Sequence, residues 1–205
     1  MEESCSVPKI DNFVHVIISD NAFNDSGSEF VTKDDSNLPV DCKIILSHLA
    51  PKGIIPKRIC VKRDNLLNDS IIAFKSANFD YDQPFRITFE NEPAIDGGGP
   101  MREYFSLLLR AIVSPFSSVR LFEGQEHSLL PMHNTDALRA GLFKVAGRMI
   151  ACSVINGSTG FPCLASPVYS YLVTQSVEDT VELAASDEIP DPEAREALRE
   201  VCSLS

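Results

Sequence analysis

The segment that most constrains the fold is ENEPAIDGGGPMREYFSLLLRAIV, which occupies positions 90–113. Its three consecutive glycines free the backbone for a tight turn. Pro100 suits the first position of a helix, because the N–H that proline lacks would have no intrahelical partner there. The apolar side chains that follow recur at helical spacing: Phe105, Leu108 and Ile112. The segment therefore predicts a tight turn followed by a helix from Pro100 to about Val113.

The residues before this segment predict two strands with a helix between them. Ile59 and Val61 alternate with polar residues in RICVK, as a half-buried strand requires, and Phe85, Ile87 and Phe89 alternate in the same way. Asp64 is a candidate N-cap for a helix that runs to about Phe79. The apolar face of that predicted helix is Leu67, Ile71 and Phe74.

The second half of the chain predicts further helices. Residues 114–133 are expected to form an irregular link, anchored in the core by Leu121 and Phe122. One long helix is predicted from about Thr135 to Ile155, with Gly157 as its C-terminal stop. Its apolar stripe is Leu138, Leu142, Val145 and Met149. A short helix ending near Thr174 and a last helix capped by Asp191 follow. The predicted fold class is mainly α with a few short strands (α+β).

The N-terminal residues 1–55 have the composition of a weakly structured segment. The run DNAFNDSGSEFVTKDDSNLP is rich in turn-forming and well-solvated residues. Within this region, residues 13–18 (FVHVII) could form a short strand or a docking segment. The ordered domain is expected to begin near Pro56 and to occupy residues 56–205.

Charge and hydropathy exclude two classes of protein. A formal net charge of −11 argues against a general nucleic-acid binder, which needs a basic surface. The modest cluster of Lys57, Arg58, Lys62 and Arg63 is interpreted as the solvated face of a strand. No stretch approaches the roughly 18 apolar residues that span a bilayer, and the N-terminus lacks the order of a secretory signal. Irregularly spaced cysteines favour a reducing compartment, so a cytoplasmic or nuclear location is expected.

The residues that could carry chemistry are better explained as structural. Asp96 beside Gly97 and Gly98 argues against a phosphate-binding loop, and no lysine follows at the start of the helix. The six cysteines contain no C-x-x-C pair: Cys5, Cys42, Cys60, Cys152, Cys163 and Cys202. The four histidines show no metal-ligand spacing: His15, His48, His127 and His133. Cys152 is predicted to be a buried, inert thiol. No catalytic residue, cofactor-binding residue or metal ligand is predicted.

Three separated segments, in order, resemble the N-terminal lobe of HECT-type ubiquitin ligases. The first is ICVKRDNLLNDSIIAF. The second is FRITFENEPAIDGGGPMREYF, which matches a strand followed by D-x-G-G and R-E-F/Y-F. The third is Leu121-Phe122 and then LFKVAGRMIACSVING, with Gly147 and Arg148 at the family's G-R position. The resemblance covers roughly residues 56–200, and the DGGGPxREYF variant most resembles the G2/M-type ligases of vertebrates.

The resemblance implies a scaffold without the catalytic module. In the family, this lobe precedes a subdomain that docks the ubiquitin-conjugating enzyme and a C-terminal lobe whose cysteine accepts ubiquitin as a thioester. Nothing here matches the T-C-x-x-x-L-x-L-P-like catalytic signature, and the chain is expected to be truncated before both modules. The shared residues receive structural roles: Asp96 as a helix cap, Gly97 and Gly98 in the turn, Arg102 and Glu103 in ion pairs, Gly147 at a close approach, and Arg148 as a ligand of carbonyls or a carboxylate.

Three hypotheses for function stay open. The chain is a fragment or short form of a HECT ligase that is inactive alone, with ubiquitin, a conjugating enzyme and protein substrates as the partners of the complete domain. Alternatively, it is a non-catalytic interaction or regulatory module that binds ligases, substrates or ubiquitin. The third hypothesis is an unrelated helical scaffold that shares the glycine turn by chance. No cofactor is expected under any of them.

Overall fold

The computed structural model describes residues 47, 50–77, 79–80, 83–92 and 99–203. The predictions for residues 13–18, for most of the N-terminal segment and for Asp96, Gly97 and Gly98 lie outside these residues. In the described part, helices predominate over short strands, so the predicted α+β class is confirmed.

The two segments with alternating hydrophobicity form a parallel pair of strands. Strand β1 spans Lys57–Val61 and strand β2 spans Phe85–Phe89, with Ile59 opposite Ile87. Every second side chain on each strand is buried, as the alternation predicts. A parallel pair requires a crossover connection, and the helix between the strands supplies it.

The crossover helix α1, Leu66–Lys75, is shorter than predicted and has a different start. Asp64 is not its N-cap, because a 3₁₀ turn at Arg63–Asn65 precedes the helix and places Asn65 at the cap position. The fully buried positions are Leu66, Ser70 and Phe74, while Leu67 and Ile71 are partly buried against the core. The predicted apolar face is therefore displaced by about one residue around the helix.

Helix α2, Gly99–Val113, forms the centre of the core and agrees with the prediction. The three residues predicted to share a face are buried, and so are two more: Phe105, Leu108 and Ile112, with Tyr104 and Leu109. The helix contacts β2 and α1 on the N-terminal side of the chain and reaches elements from the second half. The buried surface of α2 is thus wider than the face that the three predicted residues define.

Residues 114–133 contain a β-hairpin, so the prediction of an irregular link is wrong for its second half. Strand β3 spans Phe122–Gln125 and pairs with the antiparallel strand β4, Ser128–Pro131. Gly124 has a φ of +117°, and a Cβ there would lie 2.5 Å from the carbonyl oxygen of Ser128. The predicted anchors are confirmed, since Leu121 is buried and Phe122 packs against the core.

The predicted long helix is two helices. Helix α3 spans Thr135–Arg139, and helix α4 spans Leu142–Ile155. Gly141 separates them with a φ of +68°, which is a left-handed conformation, and its N–H donates to the carbonyl of Leu138. The break directs Leu138 into solvent, with 67% of it exposed. Helix α4 ends as predicted, with Gly157 at a φ of +66° just beyond it.

No described residue makes the close approach to Gly147 that the sequence predicted. It lies on the exposed side of α4, and a Cβ added there would meet no described atom within 4 Å. The glycine is therefore not needed to make room for any element in the described part of the chain.

Three helices follow the core: α5, Ser166–Thr174; α6, Val177–Val181; and α7, Pro192–Ser203. The predicted end of α5 and the Asp191 cap are confirmed. Asp191 Oδ1 accepts a hydrogen bond from the N–H of Glu193 at 2.9 Å. Within the ranges that the structure describes, no helix is long and apolar enough to cross a bilayer.

Two glycines six residues apart are expected to respond to alanine with opposite signs. Gly147→Ala should raise the free energy of unfolding by about 0.5–1 kcal/mol, because glycine in a helix interior is destabilising and the position is open. Gly141→Ala should lower it by about 1–2 kcal/mol, because its left-handed backbone is unfavourable for a residue with a Cβ. Urea unfolding of both variants measures the difference. Equal effects would contradict the two conformations.

Candidate functional site

The candidate residues that the structure describes occupy two helices. Arg102 and Glu103 lie in the first turns of α2, and Gly147 and Arg148 lie in the middle of α4. They do not converge on one cleft. Instead, Glu103 and Arg148 each connect their helix to the β1–α1 region, through different partners.

Arg63 links the two flanks of the glycine turn. It follows β1 directly, in the 3₁₀ turn before α1. Its Nη1 donates to Glu103 Oε1 on α2 at 2.7 Å, and its Nε and Nη2 donate to the two carboxylate oxygens of Glu92, the latter at 2.9 Å. Glu92 lies before the turn and Glu103 after it. The predicted pairing of Glu103 with a neighbouring element is therefore confirmed, whereas Arg102 has no ion pair with a described residue.

The geometry around Arg63 explains the electrostatics of this exposed group. The two carboxylates raise the pKa of the Arg63 guanidinium, chiefly because the guanidinium donates hydrogen bonds to Glu92. The same bond lowers the pKa of Glu92. The guanidinium also lies 4.2 Å from the centroid of the Phe89 ring, a cation–π distance. Solvent-exposed pairs of this kind contribute little stability, although the two-oxygen contact with Glu92 is directionally specific.

A buried hydrogen-bond chain joins α2 to α1. Tyr104 Oη donates to Ser70 Oγ at 2.7 Å, and Ser70 Oγ donates to the carbonyl oxygen of Leu66 at 2.7 Å. Both side chains are fully buried. Burial raises the pKa of the Tyr104 phenol, so it stays a donor. A satisfied polar chain inside an apolar interface favours one relative position of the two helices.

Arg148 connects α4 to the C-terminal end of α1. Its Nη1 donates to the carbonyl oxygen of Phe74 at 3.0 Å, as the sequence predicted for a carbonyl ligand. A cation near the last carbonyls of a helix also interacts favourably with the helix dipole. The guanidinium lies 5.6 Å from the centroid of the Phe79 ring. Arg148 Nε is buried and has no hydrogen-bond partner among the described residues.

The described thiols and imidazoles do not form a reactive centre. Burial raises the pKa of the Cys152 thiol to about 12 and that of Cys163 to about 11, which suppresses the nucleophilic thiolate. Cys60 is exposed on β1. No group of three or more potential metal ligands occurs in the ranges 47–92 and 99–203, as far as these are described.

Sequence reasoning missed three of the residues that do the positioning. Arg63 was interpreted as part of the solvated face of a strand; it is exposed, but it lies in the 3₁₀ turn after β1 and holds two carboxylates from other segments. Ser70 and Tyr104 were not singled out. A usable signal existed for Ser70, since a serine lies between Leu66 and Phe74 on one buried helix face. A hydroxyl on such a face requires a hydrogen-bond partner.

Comparison with curated proteins finds similarity to E3 ubiquitin ligases. The chain is 31% identical over 104 residues to "Apoptosis-resistant E3 ubiquitin protein ligase 1" of Mus musculus, a match that covers 49% of this chain and 13% of that protein. It is 33% identical over 67 residues to "Probable E3 ubiquitin-protein ligase HERC4" of Homo sapiens, covering 32% of this chain and 6% of that protein. It is also 29% identical over 136 residues to the human "G2/M phase-specific E3 ubiquitin-protein ligase", covering 61% of this chain and 18% of that protein.

These matches concern a small part of each relative. The chain spans between 6% and 18% of the length of the three proteins. No family model matches the chain.

Removing the two members of the buried chain separately should have unequal effects. Tyr104→Phe leaves Ser70 donating to Leu66, so the free energy of unfolding should fall by only about 1 kcal/mol. Ser70→Ala leaves the buried phenol without an acceptor, so the loss should approach about 3 kcal/mol. Denaturant unfolding measures both.

The double variant Ser70→Ala/Tyr104→Phe provides the control. It removes the orphaned donor and should be more stable than Ser70→Ala alone, although it carries one substitution more. Additive losses would contradict a direct hydrogen bond between the two side chains.

Proposed function

Since the chain is a relative of HECT-type E3 ubiquitin ligases, we propose that residues 56–205 form part of the large subdomain of a HECT N-terminal lobe. The proposed role is that of a scaffold that takes part in ubiquitin transfer only together with the catalytic module. Taken alone, the chain transfers no ubiquitin.

The contacts of the family-motif residues support the scaffold role. Glu103 of the R-E-Y-F segment is held by Arg63, and Tyr104 of the same segment is held by Ser70. Arg148 of the G-R pair holds the end of α1. In each case the side chain is engaged by another element of the protein, as positioning residues are.

The state of the three cysteines whose side chains the structure describes is the observation that carries the proposed inactivity. Thioester transfer needs a thiolate that a charged conjugating enzyme can reach. Cys152 and Cys163 are buried, with raised pKa values. Cys60 is exposed on β1, but the residues around it do not resemble the catalytic signature. The sequence also contains no T-C-x-x-x-L-x-L-P-like segment.

A second candidate function is a non-catalytic interaction module that binds ligases, substrates or ubiquitin. The observation that favours it is a group of large apolar side chains left exposed on the C-terminal helices and the turn after α6: Tyr171, Leu172, Val177, Val181, Leu183, Leu198 and Val201. Scattered exposed apolar residues are ordinary, but several within one segment are typical of an interaction surface. Under either proposal, the partners are proteins of the ubiquitin pathway in the cytoplasm or nucleus.

The inactivity can be tested with a ubiquitin-charged conjugating enzyme. The chain should form no DTT-sensitive ubiquitin adduct, because Cys152 and Cys163 are buried and none of the six cysteines lies in a segment like the catalytic signature. The measurement is a non-reducing gel with labelled ubiquitin, and a catalytically complete HECT domain in parallel should give the adduct.

A Cys60→Ser variant serves as the matched control. If the wild-type chain forms an adduct that DTT releases, the proposed inactivity is wrong. Loss of that adduct in Cys60→Ser would then identify the accepting residue.

A further inference from the structure

Helix α7 presents an apolar face to solvent. Four side chains lie at positions i, i+3, i+4 and i+7, which places them on one side of the helix: Ala194, Ala197, Leu198 and Val201. All four are exposed, Leu198 by 46% and Val201 by 64%. We refer to these four residues as the α7 apolar face. None of them belongs to the hydrophobic core of the protein.

Polar contacts hold α7 from another side. Arg195 donates from Nε and Nη2 to the carbonyl oxygen of Ile189, at 3.1 Å and 2.8 Å. Arg199 lies 3.9 Å from Asp187, and Asp191 caps the first turn. These contacts fix α7 to the turn that precedes it in the chain. The α7 apolar face takes no part in them.

Helix α7 is short enough that its own hydrogen bonds contribute little net stability in water. The helix has 12 residues. Isolated helices shorter than about 12–15 residues are marginal in water, and most helices in proteins depend on packing of an apolar face. An amphipathic helix whose apolar face stays in solvent lacks that contribution. A docked partner would supply it.

Charge identifies the chemistry of the partner. Residues 175–205 contain nine acidic and two basic side chains, whereas residues 47–174 contain eleven acidic and thirteen basic ones. Both basic side chains of the acidic segment, Arg195 and Arg199, are already engaged. Glu193 and Glu200 flank the α7 apolar face on one side of the helix. The surface is thus apolar with an acidic border.

The same charges disfavour two occupants from within the protein. The α7 of a second copy would bring a like-charged segment onto this surface. Residues 1–46 contain nine acidic and three basic side chains, so they too would be repelled. A basic partner would be attracted.

We propose that the α7 apolar face docks an amphipathic helix of another protein whose apolar side chains are bordered by lysine or arginine. Apolar residues of that helix contact Leu198 and Val201, and its basic residues lie beside Glu193 and Glu200. This inference rests on the contacts and charge of α7 and not on the ubiquitin-transfer proposal.

The probe is a synthetic amphipathic peptide with leucine at helical spacing and lysine at the remaining positions. A matched peptide carries glutamate in place of lysine. The 205-residue chain should bind the lysine peptide and not the glutamate peptide in fluorescence anisotropy. Leu198→Glu should weaken binding about tenfold, because an apolar contact is lost. This variant adds a negative charge, so simple attraction to the basic peptide would strengthen binding instead.

Two further variants separate the contributions. Leu172→Glu introduces the same charge at another exposed leucine, on α5, and should leave the affinity unchanged or slightly stronger. Glu193→Gln/Glu200→Gln should weaken binding roughly threefold and reduce its dependence on salt. Circular dichroism confirms that each variant keeps the folded core.

Three results would overturn the proposal. The first is equal affinity of wild type and Leu198→Glu for the lysine peptide. The second is equal binding of the lysine and glutamate peptides. The third is a wild-type dimer in sedimentation that Leu198→Glu converts to a monomer, which would assign the face to a second copy of the chain.

Discussion

The burial of one broad face of α2 is the interaction on which the rest of the structure depends. Tyr104, Phe105, Leu108, Leu109 and Ile112 are all at most 2% exposed. They bring together elements from both halves of the chain, because α2 contacts β2 and α1 on one side of the sequence and α4 and β3 on the other. Without this helix β2 would lose its main helical partner, and an isolated two-stranded sheet is marginally stable at best.

Polar contacts then determine how the elements sit against α2. The Tyr104–Ser70 hydrogen bond fixes α2 on α1, and Arg148 fixes α4 on the end of α1. Helix α1 is therefore the common partner of both. Apolar packing supplies most of the free energy in such a core, while satisfied buried hydrogen bonds restrict the alternatives. Residues of the HECT-like motifs make several of these hydrogen bonds, and their observed role is therefore to position helices.

Sequence patterns predicted those elements whose periodicity reflects burial directly. The period-two pattern of β1 and β2 and the 3.6-residue pattern of α2 were sufficient, and so was the Asp191–Pro192 start of α7. The patterns failed where the backbone conformation of a glycine determines where an element begins or ends. The apolar spacing continues across Gly141, so only the left-handed conformation of this glycine reveals that there are two helices. The hairpin depends on Gly124 and on pairing between residues whose hydrophobicity does not alternate. Gly147 had a motif position, but none of the described residues lies close enough to it to require a glycine.

The chain consists of a buried centre and an exposed C-terminal segment, and the proposed function follows from this difference. The centre positions the motif residues and encloses Cys152 and Cys163, and α7 retains an apolar face outside the core.

Amide hydrogen exchange followed by mass spectrometry tests this difference between the centre and α7 most directly. The account predicts that amides of residues 104–112 exchange only through global unfolding, whereas those of residues 194–201 exchange within roughly tenfold of the rates of an unstructured peptide. Fast exchange in residues 104–112, or protection of α7 equal to that of α2, would contradict it.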